Sequence, residues 1–171
     1  MDGDRDLVEL YLVRHAVAAE RGPEWPDDDV RPLTDRGIAR FRKAVAGLAV
    51  LDLGIEEVLT SPLVRARQTA ELLAAGVPEH PRVATLEALA PGHSPPDIAS
   101  AIVGATRRRC LALVGHEPDL GALAAFLIGA RQAIPLKKGG VCRIDVRAWS
   151  AGPSGVLVWL ATPTILRRLA P

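Results

Sequence analysis

The chain has 171 residues, a length typical of one ordinary domain, and we expect residues 1–171 to form a single domain. Its 21 Lys and Arg residues nearly balance 20 Asp and Glu residues, and the formal net charge of +1 argues against nucleic acid or an anionic membrane as the main partner. Hydrophobic residues make up 49% and aromatic residues 4%, so a sizeable core is expected, whereas a base-stacking surface is not.

The first predicted strand ends at two polar residues. Residues 7–13 are nearly all apolar, as expected of a strand buried on both faces, and Arg14 and His15 follow directly. After a loop rich in Pro and Asp, Thr34 is the predicted N-cap of a helix. The apolar residues of this helix recur at helical spacing and would cover the sheet: Ile38, Phe41, Val45 and Leu48.

A second unit of strand and helix follows. Residues 58–60 are predicted to form a short strand, with Ser61 as the helix N-cap and Pro62 as the first helical residue. Arg65 lies near the start of this helix and off its apolar stripe, where a solvated position is common for arginine. The residues of that stripe are Leu63, Ala66, Ala70 and Leu73.

The pattern of strand, polar turn and helix then recurs. Residues 83–86 have a weak strand pattern, and Ser94 is predicted to cap a helix that runs to about residue 104. Residues 110–114 are a clear buried strand that ends at Gly115 and His116. The helix after this strand has one apolar face, formed by Leu120, Leu123, Ala124, Leu127 and Ile128.

The end of the chain completes the expected architecture. Residues 142–148 alternate in polarity and residues 156–160 are apolar, which predicts a C-terminal hairpin. Because strands and helices alternate before it, we expect a three-layer α/β/α domain with a mainly parallel central sheet.

The cysteines and the hydropathy pattern favour the cytoplasm. Cys110 and Cys142 lie in apolar stretches and are expected to be free, buried thiols, which fits a reducing compartment. Residues 1–6 are acidic and precede only a short apolar strand, unlike a signal peptide. The longest uncharged run, residues 148–166, is interrupted by glycines and prolines, so a membrane-spanning helix is not expected.

The residues that could bind or react with a ligand lie at three predicted strand ends. In an open α/β sheet, ligands bind beyond the carboxyl ends of the strands, so Arg14, His15, Arg65 and His116 could converge on one crevice. Two guanidinium groups suit a phosphate, because each can donate two charge-assisted hydrogen bonds to its oxygens. Neighbouring cations would keep His15 neutral, with a ring nitrogen free to attack phosphorus. His116 would hold the transferring oxygens, and this scheme needs no metal or other cofactor.

These residues resemble the histidine phosphatase, or phosphoglycerate mutase-like, superfamily. The first strand of that family ends in an Arg-His-Gly motif, and Ala16 stands here in place of its Gly, which a negative φ tolerates. Four segments carry the resemblance in the right order, each at a strand end or helix start: residues 12–16, 31–37, 60–70 and 113–118.

The resemblance implies a role for each matching residue. His15 would be the nucleophile that forms phosphohistidine, Arg14 and Arg65 would bind phosphate, and His116 would be the second histidine of the pocket. Glu87 lies in a segment similar to that of the family's general acid and is the hypothetical proton donor.

The short chain, its Arg-Pro-Leu-Thr segment and its Leu-Ala-Pro-Gly loop resemble the SixA-type phosphohistidine phosphatases. A phosphorylated protein is therefore the expected substrate, because imidazole is a leaving group that needs less acid catalysis than an alkoxide. Small phosphomonoesters remain the alternative. A non-catalytic module that binds phosphorylated ligands is a further possibility; it would keep the arginines but would not need His15.

Other polar residues have simpler explanations. His116 and Glu117 lack a third ligand at the spacing of zinc proteases, so no metal site is expected. His116 also stands where a serine hydrolase would carry its nucleophile, which argues against that class. Ser61 is explained by capping alone, and Arg31 either reaches the phosphate or anchors its loop. His80 and His93 are expected in exposed loops, although His93 could border the mouth of the pocket. Residues 107–109 are expected at a solvated helix end.

Overall fold

A computed structural model of the chain describes residues 7–147, 149 and 154–171, and its six strands form one sheet. Across the sheet the strands follow the order β3-β2-β4-β1-β5-β6. Strands β1 to β4 are mutually parallel, and β5 runs antiparallel to both β1 and β6. In chain order the strands are β1 (Val8–Arg14), β2 (Glu57–Thr60), β3 (Arg82–Thr85), β4 (Cys110–Gly115), β5 (Val141–Val146) and β6 (Gly155–Ala161).

Five α-helices cover the two faces of the sheet in the described ranges: α1 (Asp35–Ala49), α2 (Val64–Gly76), α3 (Pro95–Ala105), α4 (Asp119–Ile128) and α5 (Pro163–Leu169). Helices α1, α2 and α5 bury their apolar residues in one cluster with Tyr11 and Val13 of β1. Helices α3 and α4 bury theirs in a second cluster with Leu10 and Leu12. Because successive side chains of a strand point to opposite faces, one apolar strand anchors both layers. The three-layer α/β/α fold with a mainly parallel sheet is confirmed.

The helix starts agree with the sequence at two places and differ at one. Thr34 caps α1 by accepting a hydrogen bond from the Gly37 amide at 2.9 Å, and Ser94 caps α3. The predicted start of α2 is wrong, because this helix begins at Val64 without a side-chain cap. Ser61 lies before the helix and its hydroxyl contacts His116 instead.

The C-terminal strands form the expected antiparallel pair. Strands β5 and β6 pair through Val141 to Val146, whereas the predicted turn between them, at residues 150–154, lies largely outside the described residues. Both cysteines are free; Cys142 is buried and Cys110 is half-buried. In the described ranges, every helix is too short or too polar to cross a bilayer.

Topology brings the three polar strand ends to one edge of the sheet. Strand β4 lies between β2 and β1 and is parallel to both. Arg14 is directly opposite Gly115, and Thr60 is opposite Val114. The residues that follow these three strands therefore start from neighbouring positions, although they are far apart in sequence.

Helix α5 packs closely on α1 through a glycine. A Cβ atom added to Gly47 of α1 would lie 1.9 Å from the carbonyl oxygen of Leu166 in α5. Such an approach between backbones is possible only without a side chain. The α1–α5 contact fixes one wall of the region next to the carboxyl ends of the strands.

Candidate active site

A cavity of about 430 Å³ opens at this edge of the sheet. Five of the residues singled out from the sequence line it: Arg14, His15, Arg31, Arg65 and His116. Their side chains come from the ends of β1 and β4, the start of α2 and the loop before α1. The structure thus brings together residues that span about a hundred positions of the chain.

His15 is held with one ring nitrogen available. Its backbone N–H donates to the Gly115 carbonyl at 3.1 Å, and its Nδ1 lies 2.7 Å from the carbonyl oxygen of Ala16. Because a carbonyl only accepts hydrogen bonds, Nδ1 carries the ring proton and Nε2 keeps its lone pair when the ring is neutral. Ala16 has no positive φ, so its Cβ is tolerated where the family motif has glycine.

His15 is kept neutral by its surroundings. The ring is 6% exposed, and burial lowers its pKa from 6.5 to about 4, assisted by the charges of Arg65, Arg14 and Lys138. The hydrogen bond to Ala16 acts in the opposite direction but does not compensate. At neutral pH, His15 is therefore an uncharged nitrogen base among cations.

His116 lies beside His15 and contacts a buried hydroxyl. The two ring centroids are 5.2 Å apart, and Nε2 of His116 is 2.8 Å from the Ser61 hydroxyl. That hydroxyl oxygen already accepts a hydrogen bond from the Leu63 amide. Ser61 is thus suited to donate to Nε2, which places the ring proton of neutral His116 on Nδ1.

The Nδ1 atom of His116 is buried and has no hydrogen-bond partner in the described part of the chain. Burial and the positive charges near it lower the pKa of His116 to about 3. An unpaired buried donor is costly unless a ligand satisfies it. Nδ1–H is therefore available to an anion, and Ser61, which the sequence presented only as a helix cap, determines its tautomer.

The two arginines next to the histidines each retain an unused donor. Arg65 donates to the backbone carbonyl of Asp28 at 2.7 Å and to its carboxylate at 2.9 Å, and Arg14 donates to the Leu136 carbonyl at 2.9 Å. The Nε atoms of Arg14 and Arg65 are buried without a partner among the described residues. Arg65 is only 2% exposed, so it does not take the solvated position that is common for an arginine off the apolar stripe of a helix. Its guanidinium is drawn inward by Asp28.

Asp28 is the carboxylate that stabilises this group of cations. It accepts from Arg31 Nε at 2.8 Å, pairs with Arg65, and lies 3.2 Å from Arg21 Nε. Burial acts to raise the pKa of Asp28, but the hydrogen bond from Arg31 and the three positive charges lower it overall. Arg31 also donates to the Ala19 carbonyl, so it anchors its loop and lines the cavity at once.

Glu87 does not line the cavity. It is exposed at the start of a short 3₁₀ turn, Glu87–Leu89, whose Leu89 is buried and so directs Glu87 outward. The carboxylates that do line the cavity are Glu20, which is exposed, and Glu117. Burial raises the pKa of Glu117, although hydrogen bonds from the Leu136 and Gly121 amides oppose the shift.

The cavity is therefore suited to a small anion. It combines two unpaired guanidinium nitrogens, an unpaired imidazole N–H and a neutral imidazole nitrogen with a lone pair. Hydrogen-bond donors of this kind match the oxygens of a tetrahedral phosphoryl group. In the described residues there is no group of three or more His, Cys, Asp or Glu side chains placed to hold a metal ion.

Comparisons with known proteins find a family model and a related sequence that match this chain. The family model of the histidine phosphatase superfamily (branch 1) matches residues 10–90. An uncharacterized protein of Picosynechococcus sp. strain PCC 7002 is 39% identical over 152 residues, which cover 84% of this chain and 87% of that protein.

Solved structures are similar over nearly the whole chain. The protein histidine phosphatase SixA complexed with tungstate has a TM-score of 0.80 at 23% identity, over 92% of this chain and 98% of its own. Phosphoserine phosphatase from Entamoeba histolytica in complex with 3-phosphoglyceric acid has a TM-score of 0.65 at 16% identity, over 93% and 99% of the two chains.

The lowered histidine pKa values predict how stability depends on pH. The imidazole pKa is 6.5 in the unfolded chain, whereas in the folded chain it is about 4 for His15 and about 3 for His116. At a pH between these values, the unfolded chain binds protons on both histidines that the folded chain does not bind. The free energy of unfolding should therefore decrease as the pH falls through this range. We expect the urea midpoint to fall less in His116→Gln than in the wild type.

Exposed His93 provides the control, and His93→Gln should show the pH dependence of the wild type. Ring ¹⁵N chemical shifts of the wild type would report independently that both buried imidazoles are neutral at pH 6. The assignment would be contradicted by identical pH profiles of all three proteins together with imidazolium shifts for His15 and His116.

Proposed function

This chain belongs to the histidine phosphatase superfamily, and we propose that its substrate is phosphohistidine carried by another protein. The observation that carries the proposal is the neutral His15, which keeps a lone pair on Nε2 and lines a cavity that retains unpaired guanidinium donors. A phosphatase of this type needs a nucleophile that is not protonated and a cationic pocket for the phosphoryl oxygens.

In the first step, the Nε2 lone pair of His15 forms a bond to phosphorus. The substrate ring carries a proton on its other nitrogen, so the P–N bond breaks with its electron pair on the leaving nitrogen and neutral imidazole departs. Arg14, Arg65 and the Nδ1–H group of His116 bind the three phosphoryl oxygens while charge is redistributed among them. Positioning and charge stabilisation then supply most of the rate enhancement.

In the second step, water attacks the phosphoryl group on His15. The new P–O bond replaces the bond to Nε2, whose electron pair returns to the ring, and inorganic phosphate leaves after the water loses a proton. The low pKa of His15 makes its neutral ring a good leaving group from phosphorus. The chain's own side chains provide the nucleophile and the positive charge, so we propose a reaction without metal or cofactor.

The carboxylates near the cavity support a P–N substrate. Glu87 faces solvent, and Glu117 accepts hydrogen bonds from two backbone amides, which favour its ionised form. An alkoxide leaving group needs a proton, whereas phosphohistidine is protonated on its other ring nitrogen near neutral pH and so releases neutral imidazole without a protein acid. The fold similarity to the protein histidine phosphatase SixA fits this choice.

One observation favours small phosphomonoesters as a second candidate. Glu117 lines the cavity and burial raises its pKa, which makes it the candidate for the acid that an ester substrate requires. A purely binding module is less well supported, because it would not need a neutral nucleophile at His15.

The free thiols fit a reducing compartment, so we propose that the protein is cytoplasmic. We also propose that the chain forms a single domain.

Hydrolysis assays can separate these candidates. A phosphohistidine-bearing protein and p-nitrophenyl phosphate should be tested with the wild type, with His15→Ala and with His93→Ala. We expect His15→Ala to lose on the order of 10³-fold or more in kcat, because it lacks the attacking nitrogen. His93 is exposed and does not line the cavity, so His93→Ala should keep wild-type rates. Hydrolysis of the phosphomonoester alone would favour the second candidate, and activity retained by His15→Ala would exclude the nucleophile assignment.

Ser61→Ala tests the positioning of His116. Without the hydroxyl, the proton of His116 is no longer fixed on Nδ1, so we expect kcat to fall about 10- to 100-fold with little change in KM. The ring ¹⁵N shifts of His116 should show a change of tautomer. Ser94→Ala is the matched control, since it removes a helix cap and about 1 kcal/mol of stability without affecting kcat. An unchanged kcat and unchanged ring shifts in Ser61→Ala would contradict the assignment.

A further inference from the structure

A second, smaller cavity of about 150 Å³ lies next to the proposed catalytic cavity. Lys138 lines both cavities, and the consecutive residues His15 and Ala16 line one each. Neighbouring Cα atoms are about 3.8 Å apart, so the two cavities are separated by roughly one residue of backbone. Two groups of one substrate are therefore close enough together to occupy the two cavities.

Three basic side chains line the small cavity: Arg40 from α1, Lys138 from the loop before β5, and Arg167 from α5. No Asp or Glu is among its described lining residues. Arg167 donates to the Thr164 hydroxyl at 3.1 Å, whereas Arg40 and Lys138 have neither a hydrogen bond nor an ion pair with the described part of the chain. The cavity thus holds positive charge that carboxylates do not balance.

The positive charges that line the small cavity repel one another. Burial and the charge of Arg40 together lower the pKa of Arg167, which means that the two guanidinium groups repel each other. Arg40 and Lys138 are exposed and Arg167 is half-buried, and none of the three pairs with a carboxylate in the described part of the chain. A cluster that keeps its charges together is stabilised when an anion binds between them.

The backbone fixes the positions from which the three basic side chains extend. Gly47 allows α5 to lie directly on α1, which fixes Arg167 relative to Arg40. The Gly139 amide donates to the carbonyls of Arg14 and His15, at 3.0 and 3.1 Å, which ties the Lys138 loop to the end of β1. Gly139 has a φ of +76°, a conformation that favours glycine. The fold therefore fixes the backbone segments that surround the cavity.

We propose that this cavity binds a carboxylate of the substrate, next to the phosphoryl group that enters the catalytic cavity. In a protein substrate, this carboxylate belongs to an Asp or Glu within one or two residues of the phosphohistidine. The volume accommodates such a side chain, and Phe41 and Pro163 offer apolar contact for its methylene groups. This inference rests on the proposed function, and it adds a sequence preference to it.

Two synthetic peptides provide the test. Each carries one phosphohistidine, flanked at the two positions on either side by Glu in one peptide and by Gln in the other. The wild type is compared with the double variant Arg40→Gln/Arg167→Gln. The control is Arg36→Gln/Arg168→Gln, which removes two exposed arginines from the same helices but outside the cavity. Hydrolysis of p-nitrophenyl phosphate shows that each protein is folded and active.

We expect the wild type to hydrolyse the Glu peptide with a kcat/KM about tenfold above that of the Gln peptide, mainly through KM. The double variant should lose this preference and the control should keep it, with similar p-nitrophenyl phosphate rates in all three proteins. Equal values for the two peptides in the wild type would overturn the proposal. A preference that survives in Arg40→Gln/Arg167→Gln would overturn it as well.

Failure of the proposed function would be recognised separately, because neither peptide would then be hydrolysed. In that case 3-carboxyphenyl phosphate and phenyl phosphate test the cavity alone. The carboxylate site would be supported if the wild type and the control prefer the carboxylated ester and only the double variant loses this preference. The ligand of the site would then be a small phosphoester. Equal rates on the two esters in the wild type would overturn the site.

Discussion

The burial of several cationic side chains beside two imidazoles is the constraint from which the properties of this site follow. Arg14 and Arg65 lie against His15 and His116 at the ends of the parallel strands, with Asp28 as the carboxylate that pairs with Arg65. Positive charge in a poorly solvated region makes protonation of either imidazole unfavourable. The same surroundings that would attract a phosphoryl group therefore also keep the proposed nucleophile neutral.

The fold provides this concentration of charge without an unusual composition. A net charge of +1 conceals the local excess, because acidic residues elsewhere in the chain balance it. Strand β4 lies between β1 and β2, so three segments that are distant in sequence meet at one edge of the sheet. The alternating apolar residues of β1, such as Leu12 and Val13, secure that edge to helices on both faces.

Much of the fold and part of the site could be predicted from the sequence. Apolar runs that end abruptly at Arg14-His15 and at Gly115-His116 indicated both the strands and the residues beyond them, because strand ends and ligand sites coincide in this fold class. Thr34 was recognisable as a cap from its position before an amphipathic helix.

The parts that could not be predicted depend on contacts between distant segments. Asp28 draws Arg65 inward across 37 positions of the chain, and no local pattern distinguishes it from the neighbouring Asp27 and Asp29. Ser61 has the residue type and position of a helix cap, yet its hydroxyl is used by His116. Glu87 matched the family only by its place in the chain, and the turn that buries Leu89 directs it away from the cavity.

The most direct test of the account is to identify the residue that carries the phosphoryl group during turnover. The wild type and His15→Ala would be mixed with a phosphohistidine-bearing protein, quenched in alkali within the first turnover, and digested for peptide mass spectrometry. We expect an acid-labile phosphoryl adduct on His15, which His15→Ala lacks. An adduct on His116, or rapid hydrolysis without any adduct on His15, would contradict the central claim.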